Sequence, residues 1–122
     1  MVNKLILFVD DDLDWRLIVN DFLGEAGFQV VAVKDAAETM LEASRTKLDL
    51  VILDLDLAGD DGASLLKPLN QAQPEARILL YTGLDHDEAE VQALLHQGAH
   101  RYLRKGTMGE LLDGVRDALR DR

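Results

Sequence analysis

Apolar residues alternate along this chain in two textures. Short, nearly continuous runs occupy Lys4–Val9, Val30–Val33, Leu50–Leu53, Arg77–Tyr81 and Arg101–Leu103. Runs of this length, partly β-branched, are what strands covered on both faces require, because neither side of the pleat meets water. Between them lie longer segments with apolar residues three and four apart, the period of an amphipathic helix. Trp15, Ile18, Phe22 and Ala26 form such a stripe in Asp14–Ala26, and Ala36, Met40, Leu41 and Ser44 form one in Ala36–Thr46. Leu65, Leu66 and Leu69 mark Gly62–Asn70, where Pro68 is expected to tighten or bend the helix. Val91, Leu94 and Leu95 mark Glu88–Gln97, and Leu111, Leu112, Val115 and Leu119 mark Met108–Arg120. Gly27 and Gly98 follow their stripes as helix stops.

The order is strand then helix, five times over. This (βα)₅ pattern predicts an α/β fold: a five-stranded parallel sheet with helices on both faces and right-handed crossovers. Five strands suit an open, doubly wound, flavodoxin-like sheet with strand order 2-1-3-4-5. Ligands of such sheets bind at the carboxyl ends of the strands, near the switch in strand order. The residues expected there are Asp10, Asp11 and Asp12 after the first strand and Asp54 after the third. Thr82 and Gly83 follow the fourth, and Arg104 and Lys105 the fifth.

Composition narrows the classes. At 122 residues, 1–122 is expected to form one domain, with the last helix leaving no room for an attached output domain. The 48% hydrophobic content is enough for a core. A net charge of −10 argues against a nucleic-acid binder or an anionic-membrane binder, since both need Lys and Arg. The absence of cysteine removes thiol catalysis, thiolate metal sites and disulfides. Neither a signal-peptide pattern nor a membrane-length apolar stretch is present, so the expected location is cytoplasmic.

Carboxylates converging at one sheet edge repel one another and raise each other's pKa. A hard divalent cation relieves this, and an oxygen-rich site that keeps waters suits Mg²⁺. In such a site Thr82 can donate to a phosphoryl oxygen, and Lys105 can neutralise it. A carboxylate there can serve as nucleophile and become an aspartyl phosphate. Each element alone has a plainer use. An acidic triplet before a helix is often a cap, which is the expected job of Asp12 or Asp14. It is the conjunction of four strand ends that points to phosphoryl chemistry.

These residues resemble the receiver domain of two-component response regulators over essentially the whole chain. The matching segments are Leu5–Asp12, Val51–Gly62, Ile78–Gly83 and Gly98–Lys105, in order. The resemblance implies that Asp54 accepts a phosphoryl group from a histidine kinase or histidine phosphotransfer protein docking mainly on the first helix. It implies that Asp11, Asp54 and the backbone carbonyl of Asp56 ligate Mg²⁺, with Asp10 acting through water. Lys105 would bridge to a phosphoryl oxygen. Thr82 would move toward the phosphate and Tyr102 would rotate behind it, changing a surface read by a downstream protein target or by an output domain outside this sequence. Neither nucleic acid nor membrane is implied as a direct partner. The expected activity is Mg²⁺-dependent self-phosphorylation with slow hydrolysis, not that of a conventional enzyme.

The chain departs from the family pattern in places. Ala58 stands where Pro is usual, which is expected to loosen that loop, and Leu13 replaces a common Pro. Gly106 follows the lysine where the family often has a cis Pro; a cis bond before Gly costs roughly 2.5–4 kcal/mol, so trans is expected. Asp56 and Leu84 sit two residues beyond Asp54 and Thr82, where the family tunes dephosphorylation. Trp15 is expected to pack at the start of the first helix near the acids, and His86, His96 and His100 to be surface residues. Two alternatives stand beside this reading. One is a receiver-like module working by protein contact without phosphate. The other is a haloacid-dehalogenase-type phosphatase, suggested by Asp54-Leu55-Asp56, in which Asp56 would be a general acid.

Overall fold

The computed structural model describes residues 3–57 and 59–120. In chain order its strands are β1 (Leu5–Val9), β2 (Gln29–Val33), β3 (Leu50–Leu53), β4 (Asp56–Leu57), β5 (Asp60–Asp61), β6 (Arg77–Thr82) and β7 (Arg101–Arg104). The helices are α1 (Leu13–Glu25), α2 (Ala36–Arg45), α3 (Leu66–Ala72), α4 (Glu88–His96) and α5 (Met108–Arg120). The five apolar runs form one parallel sheet in the order β2-β1-β3-β6-β7. This is the expected 2-1-3-4-5; the two skipped numbers belong to β4 and β5, a two-residue antiparallel pair beside the main sheet. Sequence periodicity does not reveal that pair, because an Asp-rich two-residue strand has no apolar alternation.

Successive residues of the central strands feed two separate cores, as the period of two in a pleated strand requires. Leu7, Val9, Val51, Leu53, Ile78 and Leu80 face α2, α3 and α4, packing with Ala43, Leu66, Leu69 and Leu94. Ile6, Phe8, Leu50, Ile52, Leu79 and Tyr81 face α1 and α5, packing with Val19, Leu23, Leu111 and Val115. Both faces of β1, β3 and β6 are therefore dry, which is why their sequences read as continuous apolar runs.

Two helical stripes are rotated from expectation. On α1 the centre of the buried face is Val19 and Leu23; Trp15 and Phe22 pack at its border, while Ile18 is half exposed. On α2 the buried residues are Thr39 and Ala43, while Leu41 and Ser44 face solvent. The buried Thr39 hydroxyl is satisfied by donating to the Asp35 carbonyl at 2.8 Å. A 3₁₀ turn over Gly62–Leu65 leads into α3, and Pro68 falls in its first turn, where a missing N–H costs nothing. Gly27 and Gly98 stop their helices with φ of 101° and 119°. No peptide bond among the described residues is cis, so Lys105–Gly106 is trans as expected. The expected loosening at Ala58 lies outside the described residues.

Candidate phosphoacceptor site

Strand register brings the acids together. Val9 pairs with Leu53, so Asp10 and Asp54 leave β1 and β3 side by side. Both are almost fully buried, 1% and 5% exposed, while Asp11 stands exposed beside them. Thr82 pairs with Arg104, so Lys105 follows at the same level, its backbone amide donating to the Thr82 carbonyl at 2.7 Å.

The Lys105 side chain reaches back across the sheet edge. Its ammonium donates to Asp10 Oδ2 at 2.7 Å and to Asp54 Oδ2 at 3.4 Å. The remaining oxygens are met by backbone: Asp12 N donates to Asp10 Oδ1 at 2.9 Å, and Asp56 N to Asp54 Oδ1 at 3.1 Å. Arg16 Nη1 clamps the Asp10 carbonyl at 2.9 Å. Asp12 itself caps α1, accepting from Asp14 N and Trp15 N, as expected for one of that acidic pair. Burial pushes the Asp54 carboxyl up to about 6, and the nearby Asp10 charge adds to this; the Asp56 amide and Lys105 pull the other way.

One carboxylate oxygen from each of Asp10, Asp11 and Asp54 lies within 4.8 Å of the other two. Oxygens on opposite sides of a bound Ca²⁺ stand about 4.6–5.2 Å apart and of Mg²⁺ about 4.0–4.2 Å. Three carboxylate oxygens this close together can share one divalent cation. The donors are all oxygen, the set a hard divalent cation prefers. Asp12, Asp56, Trp15 and Leu84 complete the cavity in which these groups meet.

Two expected site residues lie outside that cavity. Thr82 is fully buried beneath Gly83, and its hydroxyl accepts from Leu84 N at 3.1 Å. Tyr102 points away from the acids, its hydroxyl donating to the Leu84 carbonyl at 3.3 Å and pairing with His86 Nδ1 at 2.7 Å. His86 is thus not simply a surface residue. It is half buried, with its ring edge-on to Tyr102 at 5.6 Å. His100, though exposed, accepts from Ile78 N at 2.9 Å; burial of its ring, with Arg77 nearby, lowers its pKa. His96 is exposed as expected.

Gly62 packs against the backbone of Asp54 and Leu55. Its amide donates to the Leu55 carbonyl at 3.1 Å, and a Cβ there would lie 2.1 Å from the Asp54 carbonyl oxygen. Only glycine allows the chain to pass so close beneath Asp54. Sequence reasoning missed this contact, although an Asp-Gly pair soon after the third strand was its visible trace.

The family model described as the response regulator receiver domain matches residues 6–116. Among curated proteins, the regulatory protein VirG of Agrobacterium tumefaciens is 31% identical over 98% of this chain and 45% of its own length. This chain therefore spans about half the length of VirG. Sporulation initiation phosphotransferase F of Bacillus subtilis is 27% identical over 98% of this chain and 96% of its own. Among solved structures, a Burkholderia pseudomallei response regulator with a phosphorylated aspartic acid, calcium ion and citrate aligns with a TM-score of 0.86. It is 30% identical over 96% of this chain and 66% of that one.

Proposed function

Because the chain belongs to the response regulator receiver domain family, we propose that Asp54 is its phosphoacceptor and that Asp10, Asp11 and Asp54 hold Mg²⁺. The observation carrying this is the buried Asp54 carboxylate, flanked by Asp10 and reached by Lys105 at 3.4 Å. In the transfer, an Asp54 oxygen attacks phosphorus. The bond from phosphorus to the donor's nitrogen or oxygen breaks, and the leaving group keeps the electron pair. The Asp56 amide fixes the second Asp54 oxygen, which aims the attacking one. Lys105 shifts from Asp54 to the arriving phosphoryl oxygens and neutralises them. Bound Mg²⁺ supplies charge neutralisation among the carboxylates and phosphoryl oxygens. The carbonyl of Asp56 is a further ligand in this proposal.

The acyl phosphate carries about −1.5 to −2 charge and brings three acceptor oxygens within reach of Thr82. The Thr82 hydroxyl then donates to it, and Tyr102 turns from His86 and Leu84 toward the space Thr82 leaves. The signal passes to a protein target or an output domain outside this sequence. The donor is a histidine kinase or histidine phosphotransfer protein, and the setting is cytoplasmic. No helix among the described residues is long and apolar enough to cross a membrane.

The deciding experiment is intact mass after incubation with acetyl phosphate, with and without Mg²⁺, for the wild type and Asp54→Asn. A Mg²⁺-dependent gain of one phosphoryl group, absent from the variant, is expected. Gain in Asp54→Asn would move the acceptor elsewhere. No gain in the wild type would favour the contact-only module, and rapid turnover of a small phosphomonoester the phosphatase.

A further inference from the structure

Lys105 has a contact that the carboxylates do not explain. Its ammonium lies over the indole of Trp15, 4.7 Å from the ring centroid, and 5.9 Å from the ring centroid of Tyr81. The two rings meet edge to face at 5.7 Å and 88°. Tyr81 is fixed: it is 1% exposed, on β6 and inside the core facing α1 and α5. Its hydroxyl completes no hydrogen bond of normal geometry. Burial therefore pushes its pKa up, opposed by the nearby Gly106 amide and reinforced by Glu110 and Asp10. Trp15 is anchored as well, because its amide is capped by Asp12 while the next residue, Arg16, grips the Asp10 carbonyl.

We propose that Trp15 is a positioning residue for Lys105, its indole face holding the ammonium over the Asp10–Asp54 pair in place of water. A lysine head has three donors on a long flexible stem, so aiming it costs rotamer freedom. Two of its directions are taken by carboxylates at 2.7 and 3.4 Å. The ring faces it from another side, where electrostatic attraction to an indole is strongest when water is excluded. The Lys105 side chain is only 12% exposed, so that condition is met. A cation among the carboxylates competes with Lys105 for Asp10, and a phosphoryl group draws it off Asp54. The indole contact depends on neither oxygen, so it keeps the ammonium in the cavity through both changes. This inference rests on Asp54 being the acceptor only for its kinetic consequence; the contact stands by itself.

Two readouts separate these. By NMR, the Lys105 ε-protons should resonate upfield in the wild type through the indole ring current, both with and without Mg²⁺. They should move downfield in Trp15→Leu and keep part of the shift in Trp15→Phe. With acetyl phosphate, Trp15→Leu should slow phosphorylation about five- to tenfold, and Trp15→Phe should recover most of the rate. In a Lys105→Met background, Trp15→Leu should have no further effect. Unchanged ε-proton shifts in Trp15→Leu, or an undiminished loss of rate in the Lys105→Met background, would overturn the proposal. A wild type that takes no phosphate but shows the shifts would sink the acceptor assignment and leave the contact in place.

Discussion

Asp54 is the residue at which fold stability and the proposed function oppose each other. Its carboxyl ordinarily titrates at 3.8 and in the fold at about 6, chiefly because it is buried. The folded state thus holds the proton more tightly than the unfolded chain. Below about pH 4 both states carry it and nothing is lost; above about pH 6 the folded state alone bears the cost of a buried charge. That cost is on the order of 2–3 kcal/mol. Asp54→Asn removes the charge and keeps an oxygen for Asp56 N. In the metal-free protein it should raise the melting temperature by about 5–10 °C near pH 7.5 and by almost nothing near pH 4. Thermal denaturation in a chelating buffer at the two pH values tests this, and a lower melting point for the variant near pH 7.5 contradicts it. If Asp54 ligates Mg²⁺ as proposed, protonation of the same carboxyl should weaken Mg²⁺ affinity as pH falls through about 6.

At the scale of elements, the backbone that carries Asp54 depends on how the chain returns after β3. The hairpin of β4 and β5 folds back, and Gly62 passes under Asp54 with no space for a side chain. Gly62→Ala must push backbone against backbone, since the clash is with the Asp54 carbonyl and Leu55 Cα. It should cost about 1–3 kcal/mol and slow phosphorylation well beyond the effect of Ser64→Ala, an exposed neighbour on the same turn. Equal melting curves and rates for the two variants would show that the backbone there yields. These elements also mark how far sequence alone reaches. The five parallel strands were legible because Ile52 or Leu79 can be apolar throughout only when both faces are covered. Asp10 and Asp54 were legible because each directly follows such a strand, and Lys105 because it follows the short edge strand β7. Three features were not. The hairpin is too short and too acidic to show a period. The hydrogen bond between His86 and Tyr102 and the stacking of Lys105 on Trp15 join residues distant in sequence, so they depend on strand register and side-chain direction. The Leu41 and Ile18 errors have another cause: an apolar residue at the border of a stripe carries the same letter as one at its centre.

For the molecule as a whole, the acidic cavity sits beside exposed apolar surface. Leu13, Leu17 and Ile18 on α1 and Leu84 at the cavity are each more than half exposed, although the chain carries a net charge of −10. A small donor needs only the cavity. A protein donor must also hold its phosphorylated histidine there, and the exposed residues of α1 offer it apolar purchase beyond Leu84. Burying one leucine is worth about 1.5–3 kcal/mol. Leu17→Glu removes that contribution at a position the core does not use. It should leave the melting temperature and the acetyl phosphate rate close to those of the wild type. Transfer from a phosphorylated histidine phosphotransfer domain that loads the wild type should fall about tenfold or more, mainly through weaker binding. Parallel time courses with the two donors measure this directly. Equal loss with both donors would mean that Leu17 acts through the site itself, and loss with neither would place the donor on another face.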